Sequence, residues 1–245
     1  MIFFFFFLLS LKSVFCLRFW TSGSCPYAQR TWIALEESGV DYTLSIVDLG
    51  NKSAEFEETY ARANPGGRAK VPVLEVGEVV LTESLPVTEF VAEKYGSSGF
   101  YPSSPERRAL GKLLVEVQPF SYLDILKQRK DPDGLAEALK AFERKIHNFD
   151  RFLERHGKGG PFLEGETFTF CDACVAPFAQ RCDVVLRHFV DLDIKKVCQE
   201  APRVEAYFDA LLKRESVLKT GVPPEKIIES TENILKRIDE MSAKK

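Results

Sequence analysis

This chain has a small net charge and few histidines. Its 245 residues include 33 Lys and Arg against 36 Asp and Glu, so the formal net charge is −3. A chain without a basic excess has no electrostatic footprint for DNA or RNA, and we expect no nucleic-acid partner. The three histidines, His147, His156 and His188, do not have the spacing of metal ligands or of a catalytic base. They are interpreted as ordinary surface or core residues.

The cysteines are too few and too scattered for a disulfide framework in a chain of this length. They are Cys16, Cys25, Cys171, Cys174, Cys182 and Cys198. Only Cys171 and Cys174 form a C-x-x-C pair. No second pair or nearby histidine cluster completes a zinc site. We therefore expect no metal, and we place this pair on one core-facing side of a helix.

The one long apolar run lies at the N-terminus, from Met1 to Leu11. It is too short to span a bilayer as a helix. No positive charge precedes it and no small-x-small cleavage site follows, so it is a poor signal peptide. Residues 1–13 are predicted to be an apolar extension, either a degenerate leader or the product of a mistaken start. Reduced-thiol chemistry favours a cytoplasmic location, with a leader kept as the alternative, and a membrane partner is not expected.

The first hundred residues alternate between strand and helix patterns. The pattern predicts the order β-α-β-α-β-β-α, which is the thioredoxin layout. Gly39 is the predicted stop of the first helix, and Gly77 the turn of a hairpin. The predicted elements are Val14–Trp20, Pro26–Ser38, Tyr42–Asp48, Lys52–Ala63, Val71–Val76, Glu78–Thr82 and Pro86–Tyr95.

A stretch rich in Gly, Ser and Pro from Gly96 to Pro105 then reads as a linker. After it the apolar spacing is only helical, in the segments 106–130, 134–156, 172–189, 203–213 and 225–241. The predicted organisation is an α/β domain over 14–97, a linker over 98–105 and an all-α domain over 106–245.

The strongest chemical signal is the segment Ser24-Cys25-Pro26-Tyr27-Ala28-Gln29-Arg30. It places a cysteine at the start of the first helix, with proline at the first helical position. The unpaired N–H groups of the first turn and the positive end of the helix dipole favour a thiolate over a thiol. Because the thiolate is the nucleophile, Cys25 is predicted to be catalytic; the alternative is a small buried apolar residue.

These features together resemble the cytosolic glutathione transferase fold, over nearly the whole chain after residue 14. The cysteine of Cys25-Pro26-Tyr27-Ala28-Gln29-Arg30 resembles the omega and lambda classes and the related dehydroascorbate reductases. Lys70-Val71-Pro72-Val73-Leu74 is similar to the family's glutathione-binding loop with its cis-proline. Glu83-Ser84 resembles the clamp for the γ-glutamyl end, and Thr169-x-x-Asp172 the N-capping box of the helical domain.

The resemblance implies glutathione as co-substrate. A cis peptide at Pro72 would leave the N–H and C=O of Val71 free to pair with an extended tripeptide. Ser84 and the helix behind it would accept the γ-glutamyl carboxylate and Glu83 its ammonium, unless Ser84 is an ordinary cap. Lys52 matches the lysine that meets the glycyl carboxylate, or is a solvated surface residue. The stretch Asn64 to Lys70 is longer than the family usually shows, which leaves the side-chain role of Lys70 open, and Tyr27 is expected to contribute only its backbone N–H.

Ala28 determines which reaction is expected, since dithiol oxidoreductases carry a second cysteine at that position. A single thiol must be released by a second glutathione, so thiol transfer and reduction of dehydroascorbate, disulfides or glutathionylated proteins are favoured. Two alternatives are kept: conjugation of glutathione to electrophiles, and a non-enzymatic or chloride-channel-like protein on the same fold. The second substrate is expected between the domains, near Phe120, Tyr122 and Phe178. Both monomer and homodimer remain open.

Overall fold

The computed structural model describes residues 17–242. Its first half carries one four-stranded sheet, whose first strand begins among the described residues at Leu17. The predicted strand residues 14–16 and the extension over 1–13 lie outside that range. The strands are β1 Leu17–Thr21, β2 Tyr42–Ile46, β3 Val73–Val76 and β4 Val79–Thr82.

The helices of the first half are α1 Pro26–Ser38, α2 Ala54–Ala63 and α3 Ser84–Tyr95. Those of the second half are α4 Pro105–Val117, α5 Leu123–Lys127, α6 Pro132–His156, α7 Phe170–Val190, α8 Ile194–Cys198, α9 Pro202–Lys213, α10 Glu215–Lys219 and α11 Pro224–Ser242.

The sheet has the strand order β2-β1-β3-β4. β1 runs parallel to β2 and antiparallel to β3, and β4 returns antiparallel beside β3. Helices α1 and α3 cover one face, where the buried Phe19 and Leu74 join the main core, and α2 covers the other face through Phe56 and Tyr60. This is a thioredoxin-like layout, and the predicted order of elements is confirmed.

The second half is entirely helical apart from two isolated β-bridges. Its central helix is α7, which packs against α1, α4, α9 and α11 and so joins the two halves. The predicted capping box is present at its start, where Asp172 Oδ2 accepts hydrogen bonds from the Thr169 N–H and hydroxyl, both at 2.8 Å. Cys171 and Cys174 are buried in the core, as predicted.

The single helix predicted over 106–130 is wrong. α4 ends at Val117, and Pro119 follows two residues later. Proline has no N–H to donate and its ring clashes with the preceding turn, so the helix stops and a short α5 restarts at Leu123. The five-residue helices α8 and α10 were also missed, because one turn and a half carries too little periodicity to detect.

Several predicted boundaries shift by two residues. β2 ends at Ile46 rather than at 48, α2 begins at Ala54 after the N-cap Ser53, and α3 begins at Ser84 rather than at Pro86. Pro86 fits inside the first turn of α3, where no intrahelical N–H bond is needed. Within residues 17–242 no helix is long and apolar enough to cross a membrane.

Candidate active site

Cys25 is the N-cap residue of α1, as the sequence predicts. Its backbone is extended, with φ −82° and ψ 114°, and Pro26 follows at the first helical position. The first helical hydrogen bond is donated by Gln29 N–H to Cys25 O at 3.1 Å, so the N–H groups of Tyr27 and Ala28 precede it. The thiol makes no cap hydrogen bond and is partly exposed, which leaves its sulfur available to a ligand.

The other cysteines that the structure describes are buried. Burial raises the pKa of Cys174 and of Cys198 to about 12 and raises the pKa of Cys171 and Cys182 as well. These four thiols stay protonated and unreactive near neutral pH. Cys25, by contrast, is partly exposed and lines a cavity.

Beside Cys25 lies a cavity of about 570 Å³. Its wall brings together five of the predicted site residues: Cys25, Tyr27, Lys52, Lys70 and Val71. The Val71–Pro72 peptide is cis. Within the described part of the chain, the N–H and C=O of Val71 form no hydrogen bond. The cavity beside the Cys25 thiol is therefore also lined by Val71, whose backbone N–H and C=O are unpaired within residues 17–242.

The other three predicted residues are not on the wall of this cavity. Pro72 lies behind Val71, where its carbonyl accepts from the Thr82 hydroxyl at 3.1 Å. Ser84 is buried at the start of α3, 3.2 Å from an Arg30 Nη1 donor. Glu83 has a left-handed backbone with φ 71°, and its exposed carboxylate has no partner within residues 17–242.

The charge on the first cavity is positive. Lys52 donates from Nζ to the Ala69 carbonyl at 2.8 Å, which fixes the position of its ammonium group. Arg68 and Arg237 add two exposed cations that the sequence reading missed, and none of the described lining residues is acidic. This cavity therefore suits a ligand with carboxylate groups.

A second cavity of about 360 Å³ lies between the two halves of the molecule. Phe120, Tyr122 and Phe178 all line it, as the prediction of an interdomain pocket requires. Tyr27 is 52% exposed, and its ring lies edge-on to Phe178 with 5.3 Å between centroids. Burial raises the pKa of Tyr122, so its phenol remains neutral.

The two cavities meet at Ser24 and Tyr27, beside Cys25, and α11 covers both of them through Ser230 and Ile234. The contribution of α11 was missed, because its apolar spacing predicts a helix but not where that helix packs. A ligand in either cavity would therefore contact both halves of the molecule.

Two buried arginines on the second cavity were also missed, Arg30 on α1 and Arg181 on α7. A signal for them exists in the sequence. Each interrupts a helix whose other residues on that side are apolar, and a buried arginine needs a specific reason to be there.

Comparison with known proteins identifies the family. Residues 24–94 match the model of the glutathione S-transferase N-terminal domain, and residues 136–210 match the model of its C-terminal domain. A cytosolic protein of Oryza sativa subsp. japonica named probable glutathione S-transferase DHAR1 is 30% identical over 85% of this chain and 89% of its own length. The chain belongs to the glutathione S-transferase family.

Two further relatives place it within that family. Glutathione S-transferase L3 of Arabidopsis thaliana is 28% identical over 86% of this chain and 85% of its own length. The crystal structure of glutathione transferase Omega 1C from Trametes versicolor superposes with a TM-score of 0.66 at 25% identity, covering 88% of this chain and 94% of that one. The chain is thus an omega-, lambda- and dehydroascorbate-reductase-like glutathione transferase, and an enzyme.

Proposed function

We propose that this glutathione transferase catalyses glutathione-dependent thiol transfer and reduction through a mixed disulfide between Cys25 and glutathione. The observation that carries the proposal is the accessible Cys25 thiol at the start of α1, facing a cavity with an unpaired backbone edge at Val71. The N–H groups of the first turn and the helix dipole stabilise a thiolate there.

The cycle has two exchanges. In the first, the Cys25 thiolate attacks the glutathionyl sulfur of a mixed disulfide, forms Cys25–S–SG and releases the other thiol, which takes up a proton. In the second, the thiolate of free glutathione attacks Cys25–S–SG, forms oxidised glutathione and returns the Cys25 thiolate. With dehydroascorbate, the Cys25 thiolate and the thiol of one glutathione together supply two electrons and one proton, giving the ascorbate anion and Cys25–S–SG.

The second exchange needs an external thiol because Cys25 is the one cysteine among the described residues that line the two cavities. Ala28, the position of a resolving cysteine in dithiol enzymes, is buried and carries no sulfur. Cys25 is also a poorer group than a hydroxyl for holding a glutathione thiolate ready for conjugation, because it bonds covalently to the sulfur. Thiol transfer is therefore favoured over conjugation to electrophiles.

Glutathione is proposed to lie along the first cavity. Val71, turned by the cis peptide at Pro72, would pair with its cysteinyl backbone, and Lys52 with its glycyl carboxylate, with Lys70 nearby. Ser84 and Glu83 at the start of α3 would meet the γ-glutamyl carboxylate and ammonium. The unpaired Val71 backbone and the partnerless Glu83 carboxylate support this placement. Tyr27 contributes its free N–H next to the sulfur.

The names of the relatives agree with a reductase. The Oryza relative is named DHAR1 and cytosolic, and a second Oryza relative, DHAR2, is named chloroplastic. We infer a reducing compartment, with the cytoplasm as the first choice, because the mechanism requires free thiols.

The deciding experiment is a parallel assay of dehydroascorbate, hydroxyethyl disulfide and a chloronitrobenzene, each with glutathione as donor. We expect the first two to be turned over faster than the third, and Cys25→Ser to abolish both activities while keeping the melting temperature. The control Cys198→Ala, which also removes one thiol, should keep both activities. Mass spectrometry of the wild type after exposure to oxidised glutathione should find the glutathionyl adduct on Cys25.

Two results would refute the mechanism. Thiol transfer retained by Cys25→Ser would move the nucleophile elsewhere, and a chloronitrobenzene rate above both reductase rates would favour conjugation.

A further inference from the structure

Two buried arginine side chains, Arg30 and Arg181, line the second cavity. Arg181 is 3% exposed and Arg30 is 9% exposed, and both border the space beside Ser24 and Tyr27. Among the residues that the structure describes, neither guanidinium pairs with a carboxylate, and no acidic residue lines the cavity. A buried charge without a partner costs stability, so its presence calls for an explanation.

Arg181 makes three hydrogen bonds, all to neutral oxygens. Nη1 donates to Gln29 Oε1 at 2.6 Å and to the Pro177 carbonyl at 2.9 Å, while Nη2 donates to the Ser24 carbonyl at 3.1 Å. These bonds hold the guanidinium directly behind the residue that precedes Cys25. Two of its five N–H groups, the one on Nε and the second on Nη2, have no acceptor within residues 17–242.

Arg30 likewise donates its hydrogen bonds to neutral oxygens. Its Nε donates to the Cys174 carbonyl at 2.8 Å and its Nη1 to the Ser84 hydroxyl at 3.2 Å. The guanidinium lies 4.7 Å from the ring centre of Phe178 and 5.2 Å from that of Tyr27, on the wall of the cavity. Its Nη2 group makes no hydrogen bond to a described residue.

Aromatic and aliphatic side chains, with Phe120, Tyr122 and Phe178 among them, make up more than half of the remaining lining residues, and the others are uncharged polar residues. Such a wall excludes water and lowers the local dielectric, which strengthens the attraction between a cation and an anion. Burial lowers the pKa of Arg181 to about 10, which still leaves the group protonated at neutral pH. The volume, about 360 Å³, is within the range of small-molecule sites.

We propose that this interdomain cavity is a subsite for an oxygen-centred anion, bound beside the Cys25 sulfur by the spare donors of Arg181 and Arg30. This rests on the proposed function, in which two molecules of that chemistry must approach Cys25. One is the second substrate, as it acquires negative charge on oxygen during reduction. The other is the second glutathione, which brings carboxylates to the Cys25–glutathione disulfide. An uncharged, purely apolar electrophile would leave both guanidinium groups unpaired.

The first test needs no turnover and compares two alkylating agents of similar size, iodoacetate and iodoacetamide, on Cys25. Both require the thiolate, so any change in its ionisation cancels in the ratio of the two rates. We expect this ratio in the wild-type protein to exceed the ratio for free glutathione by roughly tenfold, because the anionic reagent is attracted to the arginines. A ratio equal to that of free glutathione would overturn the proposal, and this measurement depends on no variant.

Variants then assign the effect to Arg181. Arg181→Met should bring the ratio down towards that of free glutathione, and Arg181→Lys, which keeps the charge without the planar fork, should retain most of it. The control Arg187→Met removes an exposed charge from the same helix, 51% exposed and paired with Asp183 and Asp193, and should leave the ratio unchanged. An unchanged ratio in a folded Arg181→Met variant would overturn the proposal.

Two kinetic arms distinguish the source of the anion. If it is the second substrate, Arg181→Met slows dehydroascorbate reduction more than hydroxyethyl disulfide reduction. If it is the second glutathione, Arg181→Met slows the release of glutathione from preformed Cys25–S–SG and raises the KM for glutathione with both substrates. A lowered alkylation ratio with neither arm affected would mean that Arg181 attracts a small anionic reagent but binds neither the second substrate nor the second glutathione, which would refute the ligand subsite. If Cys25→Ser kept its activity, the mixed-disulfide mechanism would be refuted, whereas the alkylation ratios would still test the anion subsite.

Discussion

At the scale of single residues, the same side-chain chemistry has opposite consequences in different environments. Cys25 and Cys174 are both cysteines near or within a helix, yet one lies beside a cavity at a helix start and the other deep in the core. Burial keeps the Cys174 thiol protonated, with its pKa raised to about 12. Position rather than residue type therefore separates a nucleophile from a core residue.

Asp172 shows how one buried carboxyl makes stability depend on pH. Burial raises its pKa to about 6, against the opposing effect of the hydrogen bonds from Thr169. The native state holds this proton more tightly than the unfolded chain, so the stabilising contribution is complete below about pH 4 and is lost as the pH rises through about 6. From the size of the shift, ionisation costs on the order of 2–3 kcal/mol.

The prediction is tested by comparing the wild type with Asp172→Asn, whose amide side chain cannot titrate. Between pH 4.5 and 7.5, the free energy of unfolding of the wild type should fall relative to that of the variant, as measured by urea denaturation. Parallel pH profiles for the two proteins would contradict the raised pKa.

At the scale of elements, α1 is delimited by local chemistry at both ends. Cys25 and Pro26 begin it, and Gly39 ends it in a left-handed conformation with φ 62°, donating its N–H to the Glu36 carbonyl at 3.3 Å. Side chains with a Cβ adopt that conformation at a cost, so glycine is the favoured residue. The same helix has Cys25 as its N-cap and carries Arg30 and Glu37. Its start and end therefore help to position the candidate active site.

Gly39→Ala should lower the free energy of unfolding by about 1 kcal/mol, through backbone strain alone. A Cβ at residue 39 would have no heavy atom within 4 Å, so no clash contributes. Gly23→Ala is the matched control, because a Cβ there also meets open space and the backbone is not left-handed. Equal melting temperatures for the two variants would show that a Cβ at the left-handed residue 39 causes no such loss of stability.

At the scale of the whole molecule, the candidate active site depends on how the two halves are joined. Glu37 at the end of α1 accepts a two-pronged hydrogen bond from Arg214, at 2.8 and 2.6 Å, and another from Ser216 at 2.5 Å. This contact lies across the molecule from Cys25 on the same helix. It links α1 directly to the helical half of the molecule.

Glu37→Gln should therefore destabilise the protein by about 1 kcal/mol, a value reduced because Arg214 is partly exposed. Glu58→Gln on α2 is the control, since Glu58 is exposed and its carboxylate makes no hydrogen bond within the described chain. Chemical denaturation measures both variants. A loss for Glu58→Gln as large as that for Glu37→Gln would mean that surface charge in general, rather than this contact, is responsible.

Much of this fold and part of this site can be predicted from the sequence. The predictable features depend on residues close together in the chain, and the others depend on contacts between distant segments. The bounds of α1, the capping box of Thr169 and Asp172 and the position of Cys25 follow from neighbouring residues, and these predictions are confirmed. The break of α4 before Pro119 has a local cause as well, but it was outweighed by the apolar spacing on both sides. The roles assigned to Lys52, Lys70, Glu83 and Ser84 stay predictions.

By itself, the sequence determined the order of strands and helices in the first half and which cysteine lies at the start of α1, because those properties depend on residues close together in the chain. Only the tertiary structure decided that α11 covers both cavities and that Arg181, 156 residues after Cys25, stands behind its backbone. Charge and burial at a site are set by whichever distant elements pack there, and no local pattern records which ones do.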